Sequence, residues 1–233
     1  MDLFMETVST EAARAAAPVV SSSPHFRARG TVQGVMAKVL IALLPCVAAA
    51  TALFGARALL LVCFCASCCV ILEFLCRKAM KRPQTIGDLS AAVTGVLLAL
   101  TLPVGFGLPQ ALFGCVVAIV VAKQMFGGIG QNIVNPAIAA RVVLLVSFPA
   151  DMTAWTFDGV TAATPLVTGQ AGYLDLFLGR TAGCLGETCA IAILIGGAFL
   201  LAARVIRYII PVFFLGTVAV LSFLLGGNAL YEL

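Results

Sequence analysis

The stretch Leu59-Leu-Leu-Val-Cys-Phe-Cys-Ala-Ser-Cys-Cys-Val-Ile-Leu-Glu-Phe-Leu75, followed at once by Arg77, Lys78, Lys81 and Arg82, decides the fold. An apolar run of this length approaches the ~20 residues that an α-helix needs to cross about 30 Å of hydrocarbon. Clustered Lys and Arg just beyond such a run mark a cytoplasmic loop. Runs of the same kind recur at 33–54, 87–106, 108–126, 133–149, 185–203 and 208–228, and the quoted one extends over 57–76. Backbone groups surrounded by lipid must be hydrogen-bonded within their own segment, so each run is read as a helix. The expected fold class is all-α: a polytopic transmembrane helical bundle of about seven spans, one of them short or discontinuous.

Composition supports this reading. Of the 233 residues, 62% are hydrophobic and 10% charged, whereas a soluble domain carries roughly a quarter charged residues. With so few charges, the lipid bilayer is the solvent for most of the chain. The formal net charge is only +4, with the basic residues spread through loops, and nucleic acid needs a concentrated basic surface. Nucleic acid is therefore excluded as a partner.

Cys63, Cys65, Cys68 and Cys69 invite a metal reading. They lie inside an apolar segment without a histidine nearby, and cysteine packs well as a small apolar side chain. The packing role is preferred, and no metal site is expected.

Residues 1–30 are rich in Ala, Ser and Pro and lack the apolar core of a secretory signal. They are read as a cytoplasmic N-terminal tail, leaving 31–233 as the membrane domain. Arg14, Arg27, Arg29 and Lys38 precede or open the first segment. Lys123 and Arg141 flank a later connection, Arg204 and Arg207 another, while the opposite side holds only Arg57 and Arg180. An odd number of spans with the N-terminus in the cytoplasm accommodates all of these loops. The loop at about 150–184 is then extracytoplasmic.

Two places depart from plain apolar helix. One is Phe126-Gly-Gly-Ile-Gly-Gln-Asn-Ile-Val-Asn-Pro136, where glycines free the backbone, Gln131, Asn132 and Asn135 offer amides, and Pro136 suits a helix start. Gly-rich, polar breaks are how transporters build midplane ion or substrate sites; an Asn-capped cytoplasmic turn is the plainer reading. The other is the outer loop, with Trp155 and then Asp158-Gly-Val-Thr-Ala-Ala-Thr164. On residue chemistry alone, Asp-Gly is an ordinary turn signal.

That heptapeptide resembles the flavinylation motif D-x-x-[S/T]-[G/A]-A-T, whose last threonine receives FMN through a phosphoester bond. Its surroundings are similar to the RnfD subunit of the Rnf complex, a family closely related to the NqrB subunit of the sodium-pumping NADH:quinone oxidoreductase. The resembling stretches are Ser23-Pro-His-Phe, Leu40-Ile-Ala-Leu-Leu-Pro45, Gly87-Asp-Leu-Ser-Ala-Ala-Val-Thr-Gly95 leading into Leu100-Thr-Leu-Pro103, Lys123–Ala137, and Gly179-Arg-Thr-Ala-Gly-Cys-Leu-Gly-Glu-Thr188. They cover nearly the whole chain in order. Ala162 stands where the family usually has Gly, and family members continue past Leu233 for further helices, so a short member, a split product or a partial chain is expected.

The resemblance implies FMN carried covalently on Thr164, attached by a separate flavin transferase. Asp158, Gly159, Thr161 and Ala163 complete the motif, with Trp155 and Tyr173 as candidates for the walls of a flavin slot. It implies a subunit of an ion-translocating oxidoreductase in the bacterial inner membrane, not catalytic alone. Electrons would pass between ferredoxin and NAD through other Rnf-type membrane and redox subunits, coupled to sodium or proton movement. Candidates for the ion path are Asp88, Gln131, Asn132 and Asn135, because ionisable or polar groups at membrane depth are functional suspects. Asp88 is equally a candidate cap for the third segment, and Glu187 fits a helix N-terminus. The alternatives are a passive channel or transporter, and a scaffold subunit without a redox role.

Overall fold

The computed structural model describes residues 31–157, 160–161 and 172–224. Two long helices open it, α1 (Val32–Phe54) and α2 (Ala56–Ala79). At 1.5 Å per residue each is ~35 Å long, enough to cross a bilayer. Thr31 caps α1 by accepting a hydrogen bond from the Gly34 N–H (3.1 Å). The corner between the two helices is Gly55 alone, whose φ of 77° lies where a side chain is strained.

The later helices are shorter. A 3-10 turn at Ile86–Asp88 leads into α3 (Ser90–Leu100). Helix α4 (Leu108–Val116) continues as a π-helical stretch, Val117–Gln124. There follow α5 (Pro136–Ser147), α6 (Pro149–Thr153), α7 (Tyr173–Leu178), α8 (Ala190–Ala202) and α9 (Ile209–Leu224). Between α6 and α7, β1 (Thr156–Phe157) pairs antiparallel with β2 (Val160–Thr161), Thr156 opposite Thr161 and Phe157 opposite Val160.

The bundle is built inside out relative to a soluble protein. Its interior is rich in small side chains, with Ala58, Cys65, Cys69, Ala99, Ala111, Cys115, Ala118 and Ala140 all completely buried. Its exterior is apolar, with Val146 and Phe223 each 78% exposed. Soluble proteins do not leave such surface bare over whole helices, and lipid accounts for it. Small residues allow close helix approach: a Cβ on Gly95 of α3 would lie 2.6 Å from the Cys65 carbonyl oxygen of α2. Of the cysteines of the quoted stretch, Cys65 and Cys69 are buried in the core, Cys68 packs half-buried against it and Cys63 is exposed; all nine cysteines are free thiols.

Three expected segments are markedly shorter than their apolar runs, 133–149 being helical only over Pro136–Ser147. The run 87–106 forms a helix only over Ser90–Leu100, and 185–203 only over Ala190–Ala202. At ~17 and ~20 Å neither crosses the hydrocarbon alone. The non-helical backbone is satisfied by mutual pairing: the Leu185 N–H donates to the Leu102 carbonyl (3.1 Å) and the Gly186 N–H to the Leu100 carbonyl (2.8 Å). The chain thus has a second discontinuity besides the Gly-rich one, and its two halves lock together.

Candidate functional site

Polar chemistry gathers at the two ends of α2. Its last turns carry Glu73 and Arg77, spaced i, i+4 and therefore on one face. Both are buried, Glu73 completely. Facing them are Lys123 and Gln124 from the π-helical stretch, buried side by side at 2% and 1% exposure. A π-helical turn brings consecutive residues inward where an α-helix would rotate one away, and such turns are frequent at functional sites.

The contacts form one network. Lys123 Nζ lies 2.9 Å from Glu73 Oε1 and donates to Ser90 Oγ at 2.6 Å. Gln124 Nε2 donates to the same Glu73 oxygen at 2.9 Å, and the Thr85 hydroxyl reaches it at 3.4 Å. Arg77 Nη1 donates to the Pro83 carbonyl at 2.8 Å. Gly128, with φ of 103°, passes so close that a Cβ there would sit 2.7 Å from Arg77 Nη2. Glu73 Oε2, Gln124 Oε1, Arg77 Nε and Asn132 Oδ1 are buried without a hydrogen-bond partner among the described residues. A buried charge is tolerated only when paired and hydrogen-bonded, and spare acceptors beside it are where a water or cation would be held.

Sequence reading passes over this network. There, Lys123 serves as a topology marker and opens a family-like stretch, and Glu73 is absorbed into an apolar segment. The signal that could find them is a carboxylate inside an apolar run, which at membrane depth is suspect by default.

The expected ion-path residues divide around the network. Asp88 is half-buried in the loop between Thr85 and Ser90. It does not cap the third segment: the N-cap of α3 is Leu89, at φ 59°, with no side-chain cap. Asn135 is a cap, its Oδ1 accepting from the Ala137 N–H at 3.0 Å with Pro136 opening α5. Gln131 is exposed, and Asn132 is half-buried with its oxygen unpartnered.

The other end of α2 begins at Arg57, which is exposed and donates from Nε to the Val104 carbonyl (3.1 Å) and from Nη2 to the Gly105 carbonyl (3.3 Å). This braces the connection from α3 to α4. Gln110 then accepts from the Gly107 N–H (3.1 Å) and donates to Asp151 Oδ2 of α6 (2.5 Å). A Cβ on Gly105 would lie 4.0 Å from Thr156 Oγ1, which puts β1 beside the same connection. A cavity of ≈490 Å³ opens here, lined by Ala56, Arg57, Leu60, Leu61, Val104, Phe106 and Leu108.

Of the motif residues, Thr161 is described through its backbone pairing with Thr156. Asp158, Gly159, Ala163 and Thr164 lie outside the described residues. Trp155 is half-buried just before β1, and Tyr173 is exposed at the start of α7. Glu187 lies ahead of α8, whose N-cap is Cys189, and its carboxylate accepts from the Cys184 thiol.

Comparison with known proteins brings in a family model described as the NQR2, RnfD, RnfE family, which matches residues 19–233. The chain is 44% identical over 227 residues to the subunit designated D of the Na(+)-translocating ferredoxin:NAD(+) oxidoreductase complex of Acetobacterium woodii, covering 92% of this chain and 71% of that one. It is 37% identical to the subunit likewise designated D of the proton-translocating ferredoxin:NAD(+) oxidoreductase complex of Clostridium ljungdahlii, covering 90% and 70%. It is 36% identical to the equally designated subunit of the ion-translocating oxidoreductase complex of Stutzerimonas stutzeri, covering 83% and 67%.

Proposed function

The chain belongs to the NQR2, RnfD, RnfE family, and from that premise we propose that it is a membrane subunit of an ion-translocating ferredoxin:NAD oxidoreductase. In this reading it carries FMN on Thr164, installed by a flavin transferase, and works with other membrane and redox subunits of the complex. The flavin, when bound, supplies one-electron transfer, and the chain supplies its placement and the ion-handling groups. Sodium or protons are the ions moved.

The observation that carries the ion-handling half is the Glu73–Lys123 pair, a carboxylate and an ammonium 2.9 Å apart inside a bundle with an apolar exterior. Such pairs mark ion or proton routes at membrane depth. Glu73 holds the negative charge and accepts from Gln124, Ser90 accepts from Lys123, and the unpartnered oxygens of Glu73, Gln124 and Asn132 offer hard ligands or proton acceptors. Asp88 and Gln131 flank this route at the loop surface.

Membrane sidedness follows from the charges. Arg77, Lys78, Lys81 and Arg82 cluster at the Glu73 end of α2, so that end faces the cytoplasm. The Arg57 end, with the β1–β2 pair, then faces outward from the bacterial inner membrane. The chain crosses about seven times, the passes of α3 and α8 being completed by non-helical backbone paired at 100–102 and 185–186. The outer end fits a flavin: a mainly apolar cavity, a cation at its rim, and a motif strand beside it.

The test is flavin fluorescence of the denatured chain in a gel, after co-expression with a flavin transferase. Wild type is expected to fluoresce and Thr164→Ala to be dark. A dark wild type overturns the redox reading and leaves the passive-transport alternative; an active complex with Thr164→Ala leaves the scaffold.

A further inference from the structure

Charge also gathers where two helices stop short inside the bundle. The Leu185 and Gly186 N–H groups are held by the Leu102 and Leu100 carbonyls, so the turn Cys184–Thr188 lies between the C-terminal end of α3 and the start of α8. Non-helical backbone at membrane depth is tolerated only where it is buried in protein or lines a water-filled cavity. In this turn Cys184 and Thr188 are buried, but Glu187 between them is exposed. The Thr188 hydroxyl, in a residue only 5% exposed, has no hydrogen-bond partner among the described residues. The N-cap of α8, Cys189, supplies no side-chain bond either. An exposed carboxylate beside a spare hydroxyl faces water and not acyl chains, because lipid would leave its charge uncompensated.

The second charge is Arg141, in the middle of α5. It is half-buried and makes no hydrogen bond or ion pair among the described residues. Helix α5 packs against α3, and the Arg141 charge acts on the Cys184 thiol. That same thiol donates to the Glu187 carboxylate. One thiol therefore neighbours both charges.

The two partners open to Glu187 are unequal. A thiol is a weak donor, whereas an arginine–carboxylate pair is among the strongest hydrogen-bonded contacts. What favours the thiol is position: Glu187 lies just ahead of α8, where the helix dipole attracts a carboxylate. An unpaired guanidinium at membrane depth is costly, which pulls the other way. Two opposed preferences of this kind make a bistable contact.

We infer that Glu187 alternates between the Cys184 thiol and the Arg141 guanidinium, and that this exchange of partners gates cation passage at the discontinuity between α3 and α8. With Glu187 on Cys184, the arrangement seen here, Arg141 stands as an uncompensated positive charge beside the passage and repels cations, as arginines do in selective pores. With Glu187 on Arg141 the charge is neutralised, the barrier falls and the thiol is uncovered. The inference rests on the reading of this chain as a subunit that moves sodium or protons, and goes beyond it by naming the barrier. Helix α3 links the barrier to the Glu73 network: Ser90 at its start accepts from Lys123, and Leu100 at its end holds Gly186.

The test uses the isolated complex reconstituted into vesicles, with radioactive sodium and an enclosed pH-sensitive dye reporting ion movement. Without electron flow, wild type and Glu187→Gln are expected to hold a sodium or proton gradient. Arg141→Gln and the double variant Arg141→Gln with Glu187→Gln are expected to leak several-fold faster. During electron flow from reduced ferredoxin to NAD, Glu187→Gln leaves Arg141 without its neutralising partner and is expected to lose most ion uptake per NADH formed. Arg141→Lys, which keeps the charge, is expected to stay tight at rest. A second readout needs no variant: alkylation of Cys184 by N-ethylmaleimide, followed by peptide mass spectrometry, with the exposed Cys63 as control. Cys184 is expected to react several-fold faster during electron flow than at rest, with Cys63 unchanged, and Arg141→Gln to abolish that difference. Wild-type vesicles that transfer electrons without ion uptake refute the reading on which the inference stands. Ion uptake by wild type, together with tight vesicles for Arg141→Gln and equal Cys184 alkylation at rest and during flow, overturns the gate alone.

Discussion

Arg57 and Glu73 ride on the same helix, 16 residues and ~24 Å apart, yet their surroundings treat charge in opposite ways. At the Glu73 end a carboxylate and an ammonium are withdrawn from solvent, with side chains 1% and 2% exposed, and satisfy each other directly. At the Arg57 end the cation stays exposed and spends its donors on two main-chain carbonyls. The difference is one of desolvation. A buried charge depends on its partner for several kcal/mol, whereas an exposed one retains water as an alternative. The first end is therefore rigid and intolerant of change, and the second can be altered without unfolding the bundle. That division agrees with the proposal that ion handling belongs to the Glu73 end.

The sharpest way to break the contrast is to delete one charge at each end. Glu73→Ala leaves Lys123 buried without its counter-ion, which destabilises by about 3–5 kcal/mol. Arg57→Ala removes two solvent-accessible hydrogen bonds and loses about 0.5–1.5 kcal/mol. Thermal unfolding of the purified complex in detergent is expected to show a large drop for the first and a small one for the second. The double change Glu73→Met with Lys123→Met removes both charges and is expected to recover most of the lost stability while abolishing ion transport. Equal losses for Glu73→Ala and Arg57→Ala would show that the pair is not desolvated and that the contrast is wrong.

A finer version compares two glycines. Gly128 has a φ of 103° and lies against Arg77, so Gly128→Ala forces both a left-handed alanine and a displaced guanidinium. The expected loss is about 1–3 kcal/mol. Gly105 has nothing nearer a new Cβ than Thr156 Oγ1 at 4.0 Å, and Gly105→Ala is expected within about 0.5 kcal/mol of wild type. The same unfolding measurement separates them, and a tolerated Gly128→Ala would remove the idea that the Gly-rich loop clamps Arg77.

Much of this is legible in the sequence, and what is not has a common cause. α1 and α2 follow their apolar runs to within about three residues, because hydropathy alone drives them. Asn135-Pro136 is a local signal, and the helix start it marks is where the structure has it. The runs 87–106 and 185–203 mislead because an apolar composition does not reveal where a helix stops. Leu102 and Leu185 end up bonded to each other across 83 residues, and no local rule anticipates a partner that distant. Glu73 and Lys123 are 50 residues apart and meet only because α2 packs against the π-helical stretch. Asp88 looks like a cap because it stands beside a helix start, but Leu89 takes the left-handed position between them. The motif Asp158–Thr164 is legible only by resemblance, since its turn chemistry is ordinary.

A further comparison, within the outer end, tests how that end holds its shape. Gln110 uses its oxygen to accept from the Gly107 N–H at the start of α4 and its nitrogen to donate to Asp151 of α6. The first contact stabilises the helix start, and the second ties that start to the segment preceding β1. Gln110→Ala loses both, an expected change of about 1 kcal/mol because the site is partly solvated. Gln110→Glu keeps the acceptor for Gly107 but sets a carboxylate against Asp151, so the helix start survives while the tie to α6 is repelled. Stability is then expected to fall less than in Gln110→Ala at high salt and about as much at low salt, since exposed charge repulsion is screened. If the outer end owes its shape to this tie, the repelled variant also loosens the strand pair next to the cavity. The measurement is hydrogen exchange at residues 156–161: faster exchange in Gln110→Glu than in wild type supports the tie, and unchanged exchange shows that β1 and β2 stand without it.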